Sequence, residues 1–108
     1  MTDFTISEMQ EMQRQLQIKY KDIWEGDSPE TGGNKVLWMI GEIGEVIDVI
    51  KQNGPTPIME DPAIRAQFVE EMADVLMYYN DILSCFGISQ EELKQAYTEK
   101  FQRNMTRW

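Results

Sequence analysis

The chain contains no histidine. That absence excludes the Ser-His-Asp and Cys-His arrangements, histidine-bearing zinc sites and any imidazole general base. It has one cysteine, Cys85, which rules out an internal disulfide and a thiolate cage, and which points to a reducing compartment. No run approaches 18 uncharged apolar residues, and the opening MTDFTISEMQEMQ has neither a basic segment nor an apolar one. A cytoplasmic protein without membrane insertion is therefore expected. Basic residues are also scarce. Ten Lys and Arg stand against 19 Asp and Glu, for a formal charge of -9, so nucleic-acid polymers and anionic membranes are repelled on average.

What remains is an ordinary foldable composition, 42% apolar and 27% charged in 108 residues, enough for one domain spanning 1–108 with one modest core. From Ser7, a candidate N-cap, to about Trp24 the sequence is rich in good helix formers, with Met9, Met12, Leu16, Tyr20 and Ile23 forming an apolar stripe. Glu25 to Asn34 gathers Pro, Gly and small polar residues and reads as a loop. A second helix is expected from about Lys35 to Gln52, with Asn34 as its cap and Asn53-Gly54-Pro55 as its stop. A further loop runs to Glu60. Asp61-Pro62 then opens the longest helix, which Gly87 ends. Ser89, three residues before Glu92, caps a last helix from about Gln90, with Leu93, Tyr97 and Phe101 along one side. The expected fold is an all-α, four-helix bundle.

Chemistry must then rest on carboxylates, lysine, hydroxyls or a hard cation. At 100° per residue, Trp38, Glu42, Glu45 and Val49 share a face of the second helix, while Lys35, Gly41, Gly44, Asp48 and Lys51 are assigned to the opposite, polar side. On the third helix Glu71, Asp74, Tyr78 and Asp81 fall within an arc of roughly 80°. If the two arcs face each other, Glu42, Glu45, Glu71 and Asp74 converge, an arrangement costing several kcal/mol unless a proton or a cation compensates it. Magnesium is the natural compensator because it takes oxygen ligands and retains waters that can touch phosphates. Softer metals lack their ligands here. Against this stands a plainer reading: acid pairs are frequent in so acidic a chain and most face solvent. A non-catalytic helical interaction module with a basic partner is therefore the alternative. A calcium module is disfavoured because no twelve-residue oxygen-ligand loop is present.

Gly41-Glu42-Ile43-Gly44-Glu45-Val46 followed by Glu70-Glu71-Met72-Ala73-Asp74-Val75-Leu76 resembles the MazG-like all-α nucleoside triphosphate pyrophosphohydrolases, most of all their dCTP pyrophosphatase-like branch. Their usual pattern is E-E-x-x-E followed by E-x-x-D. The resemblance covers roughly the last 75 residues, through Lys100-x-x-x-Asn104-x-x-Arg107, and the first helix loosely. It implies magnesium ligands and catalytic carboxylates at Glu42, Glu45, Glu71 and Asp74. It further implies nucleotide contacts from Trp24 and Tyr78, and phosphate or sugar contacts from Lys100, Asn104 and Arg107. Gly41 stands where many of those proteins have their first glutamate, so that acid's role does not transfer. The implied activity is hydrolysis of a free (deoxy)nucleoside triphosphate at the α-phosphate, giving a monophosphate and pyrophosphate, in a nucleotide-pool house-cleaning role. The implied assembly is a homodimer or a dimer-built homotetramer. From the residues alone, Trp38 reads as core or subunit interface, Cys85 as a packed thiol and the methionines as filler.

Overall fold

A computed structural model describes residues 2–108. Five helices and no strand occur among the described residues: α1 (Ile6–Lys19), α2 (Gly32–Asn53), α3 (Pro55–Glu60), α4 (Pro62–Cys85) and α5 (Gln90–Met105). The all-α bundle expected from periodicity is what forms. None of these helices is long and apolar enough to cross a membrane.

The helix ends show which local signals prevail. At α1 the cap is Thr5, not Ser7: Thr5 Oγ1 accepts from the Glu8 backbone while the Glu8 carboxylate accepts from the Thr5 backbone. The reciprocal box forms at Thr5 with Glu8 three residues on, and Ser7 is already inside the helix. The helix also stops at Lys19 instead of continuing to Trp24, because the Ile23 and Trp24 backbone amides both turn back to the Tyr20 carbonyl. At α2 the helix starts at Gly32, three residues ahead of the expected start, and Asn34 is inside it. Thr31 takes the capping position without a side-chain cap, since its hydroxyl donates to the Gly26 carbonyl at 2.7 Å and holds the preceding loop.

The segment Pro55–Glu60, expected as loop, is a short helix. Gly54 makes the bend at φ +78°, Pro55 presets the first helical turn, and buried Ile58 anchors it. α4 begins as expected, with Asp61 Oδ1 accepting from the Ala63 and Ile64 amides. It ends in a Schellman arrangement, Ile88 to Leu83 and Gly87 to Ser84, around Gly87 at φ +65°. Ser89 caps α5 by accepting from the Glu92 amide.

α2 and α4 form the main packed pair and run antiparallel, since Gly32 at the start of α2 lies against Phe86 just beyond the end of α4. α1 and α3 lie on α4. Val49, Ile58, Leu83 and Cys85 make up the buried apolar centre, and Gln13, Lys35, Asn80 and Asp81 are buried beside them. α5 buries no residue and packs extensively on no other helix.

Candidate functional site

Because α2 and α4 are antiparallel and each carries its acids at helical spacing, Glu42 comes to face Glu71 and Asp74. One carboxylate oxygen from each of these three residues lies within 4.8 Å of the others, and all three residues are half-buried. Glu45, one turn along α2, is exposed and outside this triad. It is still near enough for its charge to act on Glu42 and Glu71. Burial, then the charges of Asp74 and Glu45, push the Glu42 carboxyl up from the ordinary range. Burial followed by Asp74, Glu45, Glu42 and Glu70 does the same to Glu71. Mutual repulsion of this kind marks an environment that a cation relieves.

The donor set fits a hard divalent ion. It is all oxygen and all carboxylate, on rigid helices, and it has no soft ligand to favour another metal. Small rotations of side chains already within 4.8 Å bring three oxygens to neighbouring coordination positions around one ion.

Glu42 and Asp74 also line a cleft of about 460 Å³ between α1, α2, α4 and the segment after α1. Its walls are aromatic. Trp24 lines it while stacking on Tyr20 at 4.7 Å between centroids, and Tyr78 lines it in an edge contact with Trp38 at 6.1 Å. Trp24 and Tyr78 thus line the same cleft as Glu42 and Asp74. Trp38 is half-exposed and walls the cleft, so it is not core.

Lys35 is a second correction. Assigned to the polar side, it is buried in the cleft, its Nζ donating to the Glu25 carbonyl at 3.1 Å, 3.9 Å from Asp27 Oδ1 and 5.1 Å from the Trp38 ring. The register carried the signal: three residues before Trp38 is nearly one turn, which places Lys35 on the acid-bearing face. Gln13, on α1, was likewise not singled out by sequence; it is buried and donates to Asp81 Oδ1 at 3.1 Å. Asp81 itself, the last acid of the α4 arc, lies in the cleft floor.

Lys100, Asn104 and Arg107 share a face at the end of α5, as their spacing requires, next to Arg103 and Thr106. None of the three lines the acidic cleft of the same chain. Cys85 is a buried free thiol, as expected, 3.8 Å from Asp27 Oδ1 and pushed up by burial.

The sequence model of the dATP/dGTP pyrophosphohydrolase family matches residues 45–108. That stretch is more than half of the chain and contains Glu45, Glu71, Asp74, Tyr78 and all of α5, while Trp24 and Glu42 precede it. It supports the pyrophosphohydrolase assignment without the narrower dCTP branch. No curated protein matches the chain. With an acidic cluster facing an aromatic cleft and more than half its length matched, the chain belongs to the dATP/dGTP pyrophosphohydrolase family.

Proposed function

We propose that this protein hydrolyses a purine deoxynucleoside triphosphate at the α-phosphate with magnesium, releasing pyrophosphate and a monophosphate, as a nucleotide-pool house-cleaning activity. The observation that carries this reading is the junction of the Glu42, Glu71 and Asp74 oxygens with an aromatic-walled cleft of nucleoside size. The family's description supplies the purine deoxynucleotide class.

Glu42, Glu71 and Asp74 would hold the ion, with Glu45 at their edge. A hard divalent ion held there supplies neutralisation of phosphate charge and Lewis acidity toward a phosphoryl oxygen. The remaining steps belong to the chain. Trp24, Trp38 and Tyr78 hold the nucleoside and fix the triphosphate toward the acids, which converts the attack into an oriented encounter. Water oxygen bonds to the α-phosphorus, the bond from that phosphorus to the bridging oxygen breaks, and the bridging oxygen leaves with pyrophosphate. A carboxylate of the set takes the water's proton and returns it to solvent.

The triphosphate tail brings about four negative charges. Among the described residues the one cation lining the cleft, Lys35, is held at the Glu25 carbonyl and near Asp27, away from the acid triad. We assign the missing positive rim to Lys100, Asn104 and Arg107 supplied by α5 of a second copy, in a homodimer or dimer-built tetramer.

The test is pyrophosphate and monophosphate release from a triphosphate panel with magnesium, read separately, together with thermal melting. Asp74→Asn and Glu42→Gln are each expected to lower kcat by about 10²-fold or more and to abolish a magnesium-induced rise in melting temperature. Diphosphate plus phosphate as products would move the attack away from the α-phosphorus. No turnover and no magnesium response would leave the non-catalytic interaction module.

A further inference from the structure

Resting on the pyrophosphohydrolase reading, we infer that the deep end of the cleft reads the nucleobase, and that Asp81 with Lys35 makes it selective for guanine over adenine. Three polar side chains are almost withdrawn from solvent there: Gln13 at 5%, Asp81 at 4% and Lys35 at 3% exposure. All three nevertheless line the cleft, along with Trp24, Trp38 and Tyr78. Gln13 and Asp81 satisfy one another and Lys35 is met by the Glu25 carbonyl, but the carboxylate keeps further lone pairs and the ammonium further N–H groups, which suit a ligand with complementary edges between the aromatic rings.

The spacing along α4 suits a nucleotide. Asp74 and Asp81 are seven residues apart, two turns and about 10 Å of rise, on nearly the same side of the helix. Phosphate at the Asp74 end and base edge at the Asp81 end leave the sugar beside Tyr78, which lies between them. The flanking rings then cover the base faces, so discrimination falls to the in-plane groups.

Asp81 Oδ1 accepts from Gln13 Nε2 at 3.1 Å and lies 3.5 Å from Gln17 Nε2, which fixes the orientation of the carboxylate. A carboxylate only accepts. Guanine presents two neighbouring donors, N1–H and the 2-amino group, which a carboxylate can take together. Its O6 then needs a donor, and Lys35 retains N–H groups beyond the one on the Glu25 carbonyl. Adenine presents N1, an acceptor, beside its 6-amino group, so its edge turns a lone pair toward the carboxylate. Thymine presents one N–H between two carbonyls. Guanine is the base whose edge this pair satisfies throughout.

The experiment compares kcat and KM for dGTP, dITP and dATP in the wild type and in Asp81→Asn. For the wild type, dGTP is expected to exceed dITP, which lacks the 2-amino group, by about 10-fold in kcat/KM, and dATP by about 10²-fold, mainly through KM. Asparagine offers one donor and one acceptor, the pattern adenine wants. Asp81→Asn should therefore lower kcat/KM for dGTP by about 10²-fold and shift the preference toward dATP.

A structural role alone would depress both substrates equally, and that result overturns the proposal. Equal use of dGTP, dITP and dATP by the wild type overturns it independently of whether the variant folds. In both cases the pyrophosphohydrolase reading survives. Absence of pyrophosphate release from every triphosphate would sink that reading and this one with it.

Discussion

At Asp27 the fold holds a carboxyl against its interest. Burial first and the Asp81 charge second push its pKa from 3.8 to about 6, with Lys35 opposing, and the Cys85 thiol completes its surroundings. A folded-state pKa above the unfolded one means that the native state binds the proton more tightly. The stabilisation from this group is therefore full below about pH 3.8 and is lost as pH rises through about 6. Asp27→Asn removes the charge and keeps an acceptor. It should raise stability by about 1–2 kcal/mol near pH 8 and by little near pH 4, as thermal melts across that range would show. The same sign applies to Glu42 and Glu71, whose raised pKa values make the metal-free protein pay for ionising them. Glu71→Gln should raise the melting temperature of the metal-free protein at neutral pH and weaken its response to magnesium, separating stability from site. At this scale the sequence was readable for Glu42, Glu71, Asp74 and Tyr78, whose helical spacing declares their face, while Trp24, beyond the end of α1, was suggested by the resemblance alone. It was not readable for Gln13 or Asp27. Their burial is created by α1 and the following loop closing on α4, and neither closure is written in local periodicity.

At the scale of the helix, α2 and α4 carry most of what the pattern could reveal, because a long amphipathic repeat overrides small errors at its ends. Asp61-Pro62 and Gly87 were legible for a backbone reason: the first supplies acceptors for free amides and a proline whose missing donor costs nothing, and the second accepts φ +65°. The start of α2 and the whole of α3 were not. Gly32-Gly33 and Pro55-Thr56-Pro57 have loop composition, and they are helical where tertiary contacts hold them: the Phe86 ring covers Gly32, and Ile58 is buried. Gly41 belongs to the other kind of glycine. It lies mid-helix on the polar side, at ordinary helical φ, and an alanine methyl there would meet no neighbouring atom within 4 Å. Gly41→Ala should therefore stabilise the protein by about 0.5–1 kcal/mol in chemical denaturation, since it gains helix propensity without a clash. A loss of stability would mean that this face of α2 is covered in solution.

At the scale of the whole molecule the single chain is too open for its length. Its Cα radius of gyration is 16.3 Å, against about 13 Å for a compact 108-residue domain. The chain also exposes two apolar surfaces: Val36, Ile40, Ile43, Ile47 and Ile50 along one side of α2, and Tyr97, Phe101 and Met105 along α5. Stripes of this length on a 108-residue chain fit a self-complementary subunit interface. Light scattering should then give at least twice the 12.7 kDa chain mass, and Ile43→Glu with Ile47→Glu should halve it. The sharper question is whether α5 serves its own cleft or its neighbour's. Lys100→Ala removes the proposed phosphate cation, and Asp74→Asn removes a proposed metal ligand, so each protein alone should be inactive. In a co-expressed dimer of the two chains, a site built across subunits leaves one cleft with both groups intact. Random pairing puts half the population in such dimers, and turnover should recover to about a quarter of wild type. If Lys100 acts within its own chain, every cleft stays broken and no activity returns.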